Sequence, residues 1–182
     1  AFNKVLELEP KFAEAQYNLG LIYSEQGRPE DAVASLEKAI KLNPKIAEAY
    51  FKLGEVYTEK NMTEEALSEY TKAIEVKPGY AEAYYNSGEL YASEGRHDKS
   101  ITAWKKTLEL NPKNADACFN LGVAYYNQNK LDKAISMWNK LVEMNPNDYD
   151  ALTSLADVYD MQSLTDKAIH TWEKIVEFYP ND

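Results

Sequence analysis

The sequence predicts an all-α fold, a solenoid of stacked antiparallel helix pairs, on three observations. The first is a proline ruler: Pro10, Pro44, Pro78, Pro112, Pro146 and Pro180 recur every 34 residues. A repeat period of this size marks an array of small supersecondary units. The second is that other residues keep the same register. Trp104, Trp138 and Trp172 form one row, and Tyr23, Tyr57, Tyr91, Tyr125 and Tyr159 another. Gly20, Gly54, Gly88 and Gly122 form a third, ending in Ala156. The third observation is helical periodicity, found twice in each interval.

The elements follow in order. In the first full unit Ala15, Leu19, Ile22 and Tyr23 fall at i, i+4, i+7 and i+8, one face of a helix. Gly27 ends it, and Asn61, Gly95, Asn129 and Ser163 stand in the matching places. Gly and Asn tolerate the left-handed conformation of a helix C-terminus. Pro29 suits the first turn of a second helix, where its missing N–H costs nothing. Ala32, Val33, Leu36, Ala39 and Ile40 give that helix its apolar face. The ruler prolines stop it, because the residue before a proline is pushed out of α geometry. Small residues (the glycine row, with Ala32, Ala66, Ser100, Ala134 and Ala168) mark close helix approach. Leu36, Tyr70, Trp104, Trp138 and Trp172 fill the space opposite.

This pattern resembles the tetratricopeptide repeat (TPR) family. Asn18-Leu19-Gly20 through Tyr23, then Ala32, Leu36, Ala39 and Pro44, match its motif. The resemblance covers five units, 13–46, 47–80, 81–114, 115–148 and 149–182. Residues 1–12 read as the end of a preceding second helix and its linker. The chain opens on Ala1 inside a repeat and reads as an excerpt of a longer protein. One departure is the small residue late in the second helix, Ala39 and Ala73, which becomes Thr107, Leu141 and Ile175. It bears on local packing angles rather than on the fold. The resemblance implies a right-handed superhelix whose first helices line a concave face.

Charge then points to a use for that face. The chain carries a net charge of −10, a poor match for nucleic acid or an anionic membrane, whose phosphates it repels. The expected first helices, 13–26, 47–60, 81–94, 115–128 and 149–162, hold twelve acids and only two bases, Lys52 and Lys60. The rest of the chain holds eighteen of each, so the whole excess lies on the first helices. Glu14, Glu48, Glu82 and Asp116 form one acidic row; Glu55, Glu89 and Asp157 belong to another. Acids in a first helical turn also complement the helix dipole, and an acidic face also serves solubility. Asn18, Lys52, Asn86 and Asn120 form a polar row whose amides can pair with a peptide backbone. That row is similar to the asparagine ladder of glycosyltransferase-associated repeats of this family. Tyr17, Phe51, Tyr85 and Phe119 form an aromatic row, suited to anchoring a ligand or to packing between units. The basic clamp with which a family subtype grips terminal carboxylates is missing, since acids or aromatics stand in its places.

The expected function is therefore a non-catalytic protein-binding scaffold, with an extended, basic peptide as partner. Catalysis needs acid–base groups or a nucleophile held in a pocket. The two histidines lie on different units, His97 in a turn and His170 on the outward side of a second helix. Cys118 reads as a small core residue. No zinc spacing and no phosphate-cradling glycine loop is present, so no metal and no cofactor is expected. Two alternatives stand. Ile169, Trp172, Val176 and Phe178 on the last helix suit end-to-end self-association, since leaving them bare forfeits roughly 1.5–3 kcal/mol each. The other is a targeting arm of a larger enzyme such as a glycosyltransferase.

Overall fold

The computed structural model describes residues 12–180. Pro10 and the segment expected to end a preceding repeat, apart from Phe12, lie outside the described residues. Among the described residues there are ten helices and no strand. They are α1 (Ala13–Glu25), α2 (Pro29–Leu42), α3 (Ala47–Glu59), α4 (Thr63–Val76) and α5 (Ala81–Ser93). Then follow α6 (His97–Leu110), α7 (Ala115–Asn127), α8 (Leu131–Met144), α9 (Tyr149–Met161) and α10 (Thr165–Phe178). Odd-numbered helices are the first of each pair and even-numbered ones the second. The chain divides into two compact units, Ala1–Glu94 and Gly95–Asp182. The first holds α1–α5 and the second α6–α10.

Helix ends are set by local chemistry. Gly27, Asn61, Gly95, Asn129 and Ser163 all have positive φ, between 56° and 71°, as their row predicts. Around Gly27 two carbonyls left over by α1 are satisfied: Gly27 N–H donates to Ser24 and Arg28 N–H to Tyr23. This paired closure recurs at Asn61, Asn129 and Ser163, where the carbonyls of Tyr57, Tyr125 and Tyr159 take the second bond. Between hairpins, Asn43 and Asn111 accept a bond from the backbone of Lys45 and Lys113, an Asx turn over the proline. His97 does not sit in a turn, as its sequence neighbours suggest. It opens α6, directly after Gly95 and Arg96.

The core of each unit sits where small faces large. A Cβ on Gly20 would lie 2.7 Å from Leu36, one on Gly54 2.6 Å from Tyr70, and one on Gly122 2.3 Å from Trp138. The glycines thus let the large side chain of the second helix lie on the backbone of the first. In the first unit α1 packs on α2, α2 on α3, α3 on α4 and α4 on α5. Leu36, Leu53 and Val56 are buried between Tyr17, Tyr23 and Tyr57. Tyr70 is buried with Ala47, Ala66, Ala73, Tyr80 and Ala83. In the second unit α6 packs on α7, α7 on α8, α8 on α9 and α9 on α10. The bulky departures of the late second-helix row remain core residues: Thr107, Leu141 and Ile175 are all buried.

Candidate binding face of the first helices

In the first unit α1 and α3 touch directly, which brings their matching residues to one surface. Tyr17 and Phe51, half-buried, stand at equivalent positions there. The Phe51 ring lies 4.8 Å from the ring of Tyr80 and 5.6 Å from that of Tyr70. Burial, then Glu48 and Glu55, pushes the Tyr17 hydroxyl above its ordinary pKa. Tyr80 is raised far more, by burial first and then by Glu48, Tyr17, Glu82 and Glu55. Residues of α1, α3 and the start of α5 therefore share one field, and that field is negative.

The carboxylates there are not all alike. Glu14, Glu82 and Glu89 are exposed, whereas Glu48 and Glu55 are half-buried. Glu48 accepts a bond from Lys77 at 3.2 Å, and its own backbone N–H, with Lys77 assisting, holds its pKa down against burial. Lys77 also lies 4.5 Å above the Tyr80 ring. Lys52 pairs with Glu55 at 3.3 Å along α3. Lys60, the other base of the sequence count, leaves the face and bonds Glu30 of α2 at 2.5 Å. Asn18 is half-buried on α1, while the Asn86 amide donates to the Tyr70 hydroxyl at 3.3 Å. One rung of the polar row is thus engaged inside the protein. Tyr85, on α5, is half-buried.

In the second unit Phe119 and Asn120 are half-buried on α7, and Asp116 and Asp157 are exposed. The Phe119 carbonyl accepts a bond from the Trp138 indole at 3.4 Å. Where the aromatic and polar rows change character, Thr153 and Ser154 turn their hydroxyls back onto the carbonyls of Tyr149 and Asp150. Asn114 and Asp148 cap α7 and α9 by accepting the N–H of Ala117 and Ala151. Cys118 is buried, and burial raises its thiol pKa. Ile169, Trp172, Val176 and Phe178 of α10 are exposed, Val176 by 66 %. The setting of Trp172 differs from that of Trp138. Ala156 places a methyl where the glycine row leaves room, and the Trp172 indole bonds Asp160 at 3.4 Å instead.

Reasoning from the sequence missed Tyr80 and Lys77. Both lie in the linker before α5, outside the helices counted for the face. The signal was present: Phe12, Ile46, Asn114 and Asp148 precede the other first helices, so Tyr80 brings a hydroxylated ring to that place. Among the described residues no group of acids, histidines and cysteine is arranged to hold a metal ion. No described helix is long and apolar enough to cross a membrane.

Short helix pairs, each closed by a left-handed residue and packed small against large, define a helical-repeat protein. Family models of the repeat match along the chain: "TPR repeat" at 54–95 and 88–129, and "Tetratricopeptide repeat" at 13–46, 115–148, 35–68 and 137–170. The chain belongs to the tetratricopeptide repeat family. Among solved structures it is similar to YrrB, described as a TPR protein with an unusual peptide-binding site, at 26 % identity and a TM-score of 0.83. That match covers 100 % of this chain and 93 % of YrrB. The MamA protein is similar at 26 % identity and a TM-score of 0.81, covering 91 % of each chain. Pseudomonas aeruginosa pilF shares the fold at 23 % identity and a TM-score of 0.74, over 91 % of this chain and 76 % of that one. Comparison with curated proteins returns no match. The fold is that of protein–protein interaction scaffolds.

Proposed function

We propose that this chain is a non-catalytic interaction scaffold that binds an extended, basic partner segment along the acidic face of its first helices. The observation that carries this reading is the placement of charge. The first helices hold the chain's whole net charge of −10, while the remainder is balanced. Around Tyr17 and Phe51, which are half-buried beside the buried Tyr80, that charge adjoins aromatic surface, where a cationic side chain gains both Coulomb attraction and ring contact. The unusual peptide-binding site of YrrB supports a peptide as the partner class. The units of this scaffold are the five repeats 13–46 to 149–182.

Titration of basic and neutral peptides of equal length, at low and high salt, tests the proposal. Saturable binding of the basic peptide that weakens as salt rises is expected. Equal binding of both peptides, or indifference to salt, contradicts it. A second reading is favoured by α10, whose Ile169, Trp172, Val176 and Phe178 are exposed. Ile169, Trp172 and Val176 fall at i, i+3 and i+7, a stripe that suits a further helix, including one from a second copy, whereas Phe178 lies off that stripe. Light scattering that stays monomeric at all concentrations removes the second-copy form of that reading.

A further inference from the structure

In the second unit a cavity of about 140 Å³ lies between α8, α9 and α10, and none of the residues named for the acidic face lines it. It is far larger than the roughly 10–15 Å³ that admits one water. Its floor is apolar, formed by Val142, Leu152 and Leu155. Its rim is cationic and polar, with Lys167, His170 and Lys174 of α10 and Asn139 of α8. No carboxylate lines it, although acids outnumber bases in the chain by 30 to 20. Among the described residues neither Lys167 nor Lys174 has an ion-pair partner, and Glu173 approaches His170 only at 4.0 Å. Asn139 donates its amide to the Tyr159 hydroxyl at 3.3 Å, and the Lys167 ammonium lies 5.4 Å from the centre of that ring.

The second repeat fills the equivalent place with a side chain of its own, whereas Ser35 and Ala103 stand there in the first and third repeats. Three periods earlier, in the first unit, Tyr57, Lys72 and Glu69 occupy the positions of Tyr159, Lys174 and Thr171. There Glu69 folds its carboxylate into the protein, 9 % exposed, and accepts a bond of 2.6 Å from Lys72. Glu69 is also among the carboxylates that raise the pKa of Tyr57, after burial and Glu37. One period earlier Met137, half-buried, stands at the position of Thr171. In the fifth repeat Thr171 is too short to reach in, and its hydroxyl is spent on the Lys167 carbonyl at 2.8 Å. Leu152 replaces Tyr50 on the other wall. The lysine and tyrosine remain, a second lysine stands where Glu65 was, and the carboxylate is gone.

We infer that the cavity between α8, α9 and α10 is a binding site for a carboxylate on a short aliphatic stem, which takes the place that Glu69 fills in the second repeat. The stem lies on Val142, Leu152 and Leu155, and the carboxylate lies between Lys167 and Lys174. The ligand is either a free short-chain carboxylate or a glutamate side chain of a partner segment. This site is independent of the acidic face and of what that face binds.

The test is a ¹H–¹⁵N NMR titration of the full chain with sodium butyrate and with a capped peptide whose sole charge is a central glutamate. Sodium chloride and butanol serve as controls. Saturable shifts at Tyr159, Lys167, His170 and Thr171 are expected with at least one carboxylate and with neither control. Butyrate alone identifies a free ligand; binding of the peptide identifies a partner side chain. Lys174→Gln and Lys167→Gln each weaken binding about tenfold, the effect of one charged hydrogen bond. Thr171→Glu supplies the carboxylate from within, so it abolishes binding and raises Tm. Thr171→Met fills the space with an apolar chain and also abolishes binding. No shift beyond the controls overturns the proposal, as does affinity unchanged in Lys174→Gln or in Thr171→Met.

Discussion

At the scale of single residues, two kinds of position carry the structure: glycines that admit a large neighbour, and ring hydroxyls placed in a negative field. Gly54→Ala sets a Cβ 2.6 Å from the Tyr70 ring, which is held by Phe51 and by bonds with Thr58 and Asn86. Overpacking costs about 1–3 kcal/mol, and the better helix propensity of alanine returns about 1. The expected net loss is up to about 2 kcal/mol, read as a lower denaturant midpoint with an unchanged slope. An unchanged midpoint would mean that the helices simply move apart. Tyr80 contributes to the alkaline limit, together with Tyr17, Tyr57 and Tyr70, whose hydroxyls are raised as well. Its folded pKa lies above its ordinary value of about 10, so folding favours the neutral phenol. Its contribution is complete below about pH 10 and is lost as pH rises towards the folded value. Between pH 9 and 11.5 Tm therefore falls, and Tyr80→Phe flattens that fall. A variant that tracks the parent over this range would remove Tyr80 from the explanation.

At the scale of elements, helix ends were legible and linkers only partly so. The turn row worked because a left-handed residue must follow each first helix, and few residue types adopt that shape cheaply. Ser163 is the costliest of the five, with a φ of 57° and neither the freedom of glycine nor the local side-chain bonding of asparagine. Ser163→Gly is expected to raise stability by about 0.5–1 kcal/mol, because the strain relieved exceeds the added entropy of the unfolded glycine. Asn61→Gly and Asn129→Gly should gain less, and a thermal melt of the three variants orders them. The small-against-large contacts were legible too, since Gly20, Gly54 and Gly122 share a row and their partners share another. Less was legible where side chains far apart in the chain meet. Lys77 reaches Glu48 and covers Tyr80 from a linker, a contact across 29 residues that no local period announces. Asn114 and Asp148 became caps, whereas Phe12, Ile46 and Tyr80 at the same point form none. The cavity beside Thr171 is an absence of volume, visible only once Glu69 is seen filling its equivalent.

At the scale of the whole molecule, the sequence pattern determines which layer carries net charge, and the fold adds how that charge is held. The first-helix acids are a mixed population. Glu48 and Glu55 are half-buried beside lysines and aromatic rings, whereas Glu82 and Asp116 stand in solvent. A basic segment that enters competes with Lys77 for Glu48 and with Lys52 for Glu55. Discrimination between basic partners then follows from how well they replace those lysines, and long-range attraction governs the approach. The most direct test compares two triple variants of equal net charge. Glu48→Gln, Glu55→Gln and Glu82→Gln together neutralise the proposed face, while Glu37→Gln, Glu65→Gln and Glu75→Gln neutralise three exposed acids of the second helices. Calorimetric titration with one basic peptide at fixed ionic strength should show affinity lost about tenfold or more in the first variant and nearly kept in the second. Equal loss in both would show that only net charge matters, and would contradict a binding face on the first helices.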